Sequence, residues 1–268
     1  MPGTLFVVAT PIGNLEDITL RALRVLREVA VIAAEDTRRT GNLLARHAIA
    51  TPTTSLHRHN EAQKSAAILS RLQRGDDVAL VSDAGTPTVS DPGARLIREA
   101  IDAGIRVEPI PGPSAILAAL TASGMPADSF TFLGFPPIRS KDRKSWFDRV
   151  RHVGGLVVFF EAPHRFAPTM DELMDAVGDC DVVIARELTK AHEELVRGPI
   201  STVRDRLQSS KGEFTIVANI GHLTDNVSPP AADEMSTRRN AMAALAKAHG
   251  LTANQLYSAI ETAKKSVE

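Results

Sequence analysis

The chain holds a single cysteine, Cys180, in the acidic, turn-like stretch Gly178-Asp179-Cys180-Asp181. No internal disulfide can form, a thiolate metal site has too few ligands, and the residue reads as structural. No apolar run approaches the ~18–20 residues needed to cross a bilayer, and the Met1 end lacks a basic stretch followed by a cleavable apolar segment. A cytoplasmic protein without a membrane partner is expected. Excess charge is also missing: the formal net charge is −1, which argues against coating nucleic acid by bulk charge, so any RNA contact must come from local patches. The Gly-x-Gly-x-x-Gly and Gly-x-x-x-x-Gly-Lys-Ser/Thr cradles of dinucleotides and nucleoside triphosphates are absent. His57, His59 and His164 lack a clustered carboxylate–histidine spacing, so no metal is expected.

What is present is ordinary for a soluble globular protein, with 43% apolar and 24% charged residues among 268, enough for a buried core and for two modest lobes. Short β-branched runs alternate with longer amphipathic stretches, the pattern of an α/β fold. Strands are expected at Leu5–Ala9, Val31–Ala34, Val78–Val81, Val107–Ile110, Leu156–Phe160, Val182–Ala185 and Thr215–Ile220. Helical spacing marks Leu20–Val29, Glu61–Leu72, Ala94–Ala103, Ser114–Ala122 and Pro168–Val177. Most of the strands are apolar throughout, as in a sheet covered on both faces. Gly124, Pro126, Gly134, Pro136 and Pro137 suggest a lobe boundary, giving lobes over 1–122 and 123–224. A linker at Asp225–Pro230 then precedes two short helices, about 236–248 and 252–264, within an extension over 225–268.

Three strand-exit loops carry the most information. Ser82-Asp83-Ala84-Gly85-Thr86-Pro87-Thr88-Val89-Ser90-Asp91-Pro92-Gly93 follows a buried strand and precedes a helix. Its glycines permit close backbone approach, its prolines stiffen the path, and Asp83 can accept from hydroxyl or ammonium groups. Ala9-Thr10-Pro11-Ile12-Gly13-Asn14 and Pro109-Ile110-Pro111-Gly112-Pro113-Ser114-Ala115 also leave apolar strands. Ligands of α/β sheets collect at such carboxyl ends, so the loops together could surround one small ligand; each alone is equally a tight connection.

These strings, with Ala34-Glu35-Asp36-Thr37-Arg38, Phe159-Phe160-Glu161-Ala162-Pro163-His164-Arg165 and Ala185-Arg186-Glu187-Leu188-Thr189-Lys190, resemble the tetrapyrrole-methylase superfamily and, within it, the ribosomal RNA small subunit methyltransferase I family. The resemblance runs in order over about the first 220 residues. Phe160 departs from it, standing where a tyrosine is common. It implies a two-lobed class III methyltransferase with a small C-terminal helical extension, binding S-adenosylmethionine between its lobes, usually as a homodimer, and methylating the ribose 2'-hydroxyl of a decoding-centre cytidine of 16S rRNA in the small ribosomal subunit. The superfamily's cofactor contacts carry over onto Pro11, Ile12, Asp83, Ala84, Gly85, Thr86, Ser114 and Ala115, and more loosely onto Phe160, Ala162, Leu188, Glu213 and Phe214.

Methyl transfer from a sulfonium needs alignment and a dry pocket. A ribose hydroxyl is a weak acid and needs somewhere for its proton to go. Glu161, Asp36 and Glu187 are candidate bases, and Arg165, Arg186, Arg38 and Lys190 candidate stabilisers. Glu161 with Arg165 could instead be a structural i,i+4 pair, and Asp36 with Arg38 a helix cap and a surface cation. The segment 138–152 holds six basic residues against two acidic ones and the single tryptophan. Arg139, Lys141, Arg143, Lys144 and Arg149, with Arg38, Arg165 and the Arg238-Arg239 pair, are candidate RNA contacts, with Trp146 either stacked on an unpaired base or packed inward on an amphipathic helix. Two other readings stay open: methylation of a tetrapyrrole or another small or protein substrate, and a non-catalytic RNA-binding assembly factor.

Overall fold

In the computed structural model, which describes residues 1–221 and Thr252, the chain builds two five-stranded sheets. The first holds β1 (Thr4–Val8), β2 (Val31–Ala34), β3 (Thr53–Ser55), β4 (Val78–Val81) and β5 (Arg106–Ile110), all parallel, in the order β3-β2-β4-β1-β5. Parallel neighbours need crossovers, and helices supply most of them. Their apolar faces explain why β2 and β4 are buried at every position. On one side Val25 and Leu26 of α1 (Leu20–Glu28) and Leu43 and Leu44 of α2 (Thr37–Arg46) pack on Val8, Ile32 and Ala79. On the other, Ile68 and Leu72 of α3 (Glu61–Gln73) and Leu96 and Ala100 of α4 (Ala94–Asp102) pack on Leu5, Ala33 and Leu80.

The second sheet comprises β6 (Thr131–Phe132), β7 (Leu156–Glu161), β8 (Asp181–Arg186), β9 (Glu194–Pro199) and β10 (Phe214–Asn219), in the order β6-β7-β10-β8-β9. Only β6 and β7 run parallel; the other pairs are antiparallel. One face carries Phe159, Phe214 and Ile216 beneath α6 (Ser140–Val153) and α7 (Phe166–Val177), and the short α8 (Ile200–Val203) joins the same core. The opposite face, with Val158, Val183 and Val217, receives Ile116, Ala119 and Leu120 of α5 (Ala115–Ser123). Because α5 directly follows the β5 exit loop, it ties the end of the first sheet to the second. Both sheets fall in one compact unit, Met1–Gly221.

Each of the seven expected strands is present, with ends that move by a residue or so. The unforeseen ones are explicable. Strands β3 and β6 are three and two residues long, and β9 carries Arg197, Gly198 and Pro199 at a sheet edge, where a proline removes no ladder bond. Helix α2 is not marked by helical spacing of apolar residues, because Thr37 through Asn42 are all polar or glycine and its only large apolar residues are Leu43 and Leu44.

Helix α6 settles the orientation of the aromatic residues. Trp146, Phe147 and Val150 are buried against the second sheet, and Trp146 Nε1 donates to Leu133 O at 3.1 Å. Trp146 therefore offers no face to an unpaired base, which corrects the stacking alternative, while Lys141, Lys144 and Arg149 remain exposed. The expected linker at Asp225–Pro230, the two terminal helices apart from Thr252, and Arg238-Arg239 lie outside the described residues. Among the described residues no helix is long and apolar enough to cross a membrane.

Candidate active site

The exit loops of β1 and β4 are stitched together. Thr10 and Gly85 exchange backbone hydrogen bonds of 2.9 Å in both directions, and the Thr10 hydroxyl donates to Ser82 O at 3.1 Å. Gly85 has φ +78, a conformation that favours glycine. Beyond it Thr88 (φ 74) and Ser90 (φ 70) are also left-handed, at a cost of about 1–3 kcal/mol each that the surrounding structure must sustain. Val89, Ser90 and Asp91 of this stretch line the same cavity as Phe160 and Glu161 at the end of β7. From the second sheet, the end of β7, the end of β8 and the start of β10 meet at one edge, since Phe214 pairs with both Glu161 and Arg186.

Between these edges lies a cavity of about 430 Å³. Ile12, Asp83, Ala84, Gly85, Thr86, Ser114, Ala115, Phe160, Ala162, Leu188, Glu213 and Phe214 line it; Pro11, the other expected cofactor contact, is buried and does not. Its chemistry is two-sided. Ile12, Ile116, Leu188, Phe160 and Phe214 offer apolar walls, and Glu35, Asp83 and Asp91 offer carboxylates. A ligand with a flat apolar ring and a cationic centre suits that division, and the volume is in the range of small-molecule sites. A larger groove of about 660 Å³ between α6 and α7, lined by Arg143, Phe147 and Glu172, lies away from the strand-exit loops.

The four residues expected to act in catalysis do not converge. Glu161 lines the cavity, yet its side chain is fully buried and engaged. Its carboxylate accepts from Ala162 N (2.7 Å), the Thr169 hydroxyl (2.6 Å) and Arg165 Nη2 (3.2 Å), with Arg143 Nη1 at 4.0 Å. Arg165 also donates to Pro136 O, and Arg143 to Glu172, Thr169 and Pro137 O. Arg143 and Arg165 thus serve this internal network, with side chains 13% and 19% exposed.

Asp36 is the N-cap of α2, accepting from Arg38 N at 2.9 Å, and its carboxylate is chelated by the Arg38 guanidinium at 3.1 and 2.8 Å. Those hydrogen bonds hold it down to about 2, so it takes up protons poorly near neutrality. Arg186 is buried and donates to Glu194 (2.8 Å) and Lys211 O (3.2 Å), away from the cavity. Lys190 Nζ lies 2.9 Å from both Glu187 and Glu213. Burial works against its charge, but these bonds outweigh burial and raise its pKa. Lys190 lines a shallow pocket with Gly13, Asn14 and Thr189. Arg139 and Arg38 are exposed.

The geometry also places Glu35, Asp91 and Phe135, to which motif reading assigned no role, in the cavity wall with Asp83. Glu35 directly follows β2, and its carboxyl is raised by burial and by Asp83. Asp83 accepts from Asp36 N at 2.9 Å and pairs with Arg39 at 3.5 Å. Asp91 is pushed up to about 6, by burial first and Glu35 second. Phe135, half-exposed, tilts against Phe160 with centroids 5.3 Å apart. Strand-exit position is the available signal for Glu35, Asp91 lies in the informative 82–93 loop without a role of its own, and nothing local marks Phe135.

Comparison with known proteins places this arrangement. The family model of tetrapyrrole (corrin/porphyrin) methylases matches residues 4–204. Ribosomal RNA small subunit methyltransferase I of Pseudomonas aeruginosa is 48% identical over 212 residues, covering 79% of this chain and 75% of that protein. Its counterpart from Haemophilus influenzae is 40% identical over 272 residues, covering 96% of each. The chain belongs to the tetrapyrrole methylases, in the ribosomal RNA small subunit methyltransferase I family. Among solved structures, a uroporphyrin-III C-methyl transferase from Thermus thermophilus complexed with S-adenyl homocysteine aligns with TM-score 0.58 at 18% identity, covering 81% of this chain and 98% of that one. Diphthine synthase aligns at 0.64 and 15%, covering 81% and 90%. At such identities the likeness shows the class III methyltransferase fold alone, a scaffold that serves a corrinoid or porphyrin enzyme and others alike.

Proposed function

We propose that the chain transfers a methyl group from S-adenosylmethionine to the ribose 2'-hydroxyl of a decoding-centre cytidine in 16S rRNA, acting on the small ribosomal subunit, as a homodimer in the cytoplasm. The observation that carries the reading is the convergence of strand-exit loops from both sheets on one cavity, in a chain whose relatives bear the name of a small-subunit rRNA methyltransferase. S-adenosylmethionine would supply an electrophilic methyl on a sulfonium. Ile12, Ala115, Leu188 and Phe214 would hold its apolar part, and Asp83 would accept from its polar groups.

Tritium transfer from labelled S-adenosylmethionine to purified small subunits, followed by nucleoside analysis, tests this directly. Label on 2'-O-methylcytidine is the expected result. Label on a base, a macrocycle or a protein would replace the reading, and RNA binding without transfer would favour an assembly factor.

The exposed cations of α6 support an RNA-facing surface, with Arg143 excluded by its internal partners. Reversing Lys141, Lys144 and Arg149 to glutamate is expected to weaken binding to small subunits at least tenfold. Each lost phosphate contact should flatten the salt dependence by about 0.7–0.9 in slope, with affinity for S-adenosylmethionine unchanged. Filter binding at several salt concentrations measures it; an unchanged slope would remove α6 from the RNA surface.

A further inference from the structure

The carboxylates around the cavity differ in how far each is already committed. Glu161 is enclosed by Ala162 N, Thr169 and Arg165. Asp83 already accepts from Asp36 N and pairs with Arg39, which leaves it as an acceptor and not as a base, and Glu213 pairs with Lys190. Asp91 and Glu35 line the same cavity, and among the described residues neither forms an ion pair.

Asp91 is also the better positioned of the two. Its backbone is clamped on both sides: Ser90 O accepts from Arg58 Nη2 at 2.5 Å, and Gly93 N donates to Glu61 Oε1 at 3.1 Å. The left-handed Thr88 and Ser90 precede it. Gly134, next to the half-exposed Phe135, approaches the same loop, with its Cβ position 3.7 Å from Ser90 Oγ. The stretch that carries Asp91 therefore faces the second half of the molecule across the cavity. A base must be placed this way, held rigidly at the wall of a dry site and not neutralised by a neighbour.

We propose that Asp91 is the proton acceptor for the substrate hydroxyl, an assignment that rests on the ribose reading above. The ribose oxygen forms its bond to the methyl carbon as the carbon–sulfur bond breaks. The pair from that bond stays on sulfur as a neutral thioether, and the hydroxyl proton passes to the Asp91 carboxylate and then to solvent. Glu35 is a positioning residue here, acting on Asp91 through its charge.

The groups that face Asp91 set its titration. Burial and the charges of Glu35 and Asp83 raise it to about 6, against the Ser82 hydroxyl and Arg58, which lower it. Arg39 lines the same cavity, and Glu61 lies at the start of α3 beside Gly93. A carboxylate tuned so is ionised near neutrality yet more basic than an ordinary aspartate.

The test combines nucleoside analysis, a pH profile and thermal melting on the full-length protein. Wild-type turnover on small subunits is expected to rise with pH to a plateau above about 6. Asp91→Asn should lower turnover by about 10²–10⁴-fold and lose that acidic limb, with little change in KM for S-adenosylmethionine. Glu35→Gln, which leaves Asp91 in place, should move the limb to lower pH. Melting reads the same group without turnover. A carboxyl raised in the folded state lends stability below its unfolded value and loses it as pH rises through about 6. Asp91→Asn should therefore melt higher than wild type near neutral pH and equally near pH ~4.

If nucleoside analysis finds the ribose methyl while Asp91→Asn keeps roughly half of wild-type turnover or retains the acidic limb, the assignment fails and the ribose reading stands. An unmoved limb in Glu35→Gln overturns it likewise. Label found away from the ribose oxygen removes both together.

Discussion

Replacing Glu161 with alanine is expected to lower the unfolding free energy by about 3–5 kcal/mol, because removing one partner of a buried ion pair leaves the other uncompensated. The side chain is 0% exposed, and the guanidiniums of Arg143 and Arg165 that face it are 13% and 19% exposed. Alanine also strips partners from the Thr169 hydroxyl and Ala162 N. Glutamine keeps an acceptor oxygen for one of them but cancels no charge, so a smaller loss of about 1–3 kcal/mol is expected. Urea unfolding with an unchanged m-value checks both numbers. A variant within about 1 kcal/mol of wild type that nonetheless lost methyl transfer would return Glu161 to the candidate bases, since the residue lines the cavity.

That contrast shows which parts of the site sequence could reveal. The loops at 9–14, 82–93 and 111–115 were legible because their function needs backbone geometry that only particular residues supply. Glycine at φ +78 and prolines that stiffen strand exits announce themselves locally. So did the Glu161–Arg165 spacing and the Asp36 cap, both of which the structure shows as internal pairs. Long-range company is another matter. Glu35 and Asp91 influence each other from two different strand exits, and their shared burial depends on how β2 and β4 lie side by side. Arg143 looked like one more cation in a basic run; only the packing of α6 on α7 shows it donating to Glu172 and Thr169. Charge counts describe a helix's composition, whereas the face each charge occupies is decided by what the helix buries.

Gly13 is where the strand-exit loop of β1 meets the second half of the molecule, and Gly13→Ala is expected to weaken S-adenosylmethionine binding by about 10–100-fold, or about 1.4–2.7 kcal/mol. A Cβ there would lie 2.6 Å from Lys190 Cγ, 2.7 Å from Thr189 Oγ1 and 2.9 Å from Leu188 O. None of these neighbours yields easily. Lys190 is held by Glu187 and Glu213, Thr189 sits at φ 66 with its N–H donating to Glu193 at 2.6 Å and its hydroxyl accepting from Asn14 N, and Leu188 O is backbone. Relief must therefore come from moving the 188–190 turn or the 11–14 loop outward. Leu188 and Ile12 both line the cavity and belong to one packed cluster, so either movement disturbs the wall where an apolar ring would be gripped. The clash falls on turn residues beside one buried cluster and not within it, so global stability should fall by about 1 kcal/mol. Titration calorimetry with S-adenosylmethionine and with its demethylated product, beside urea unfolding, separates the two effects. Unchanged affinity in a folded Gly13→Ala protein would show that the seat between these turns does not shape the cofactor site.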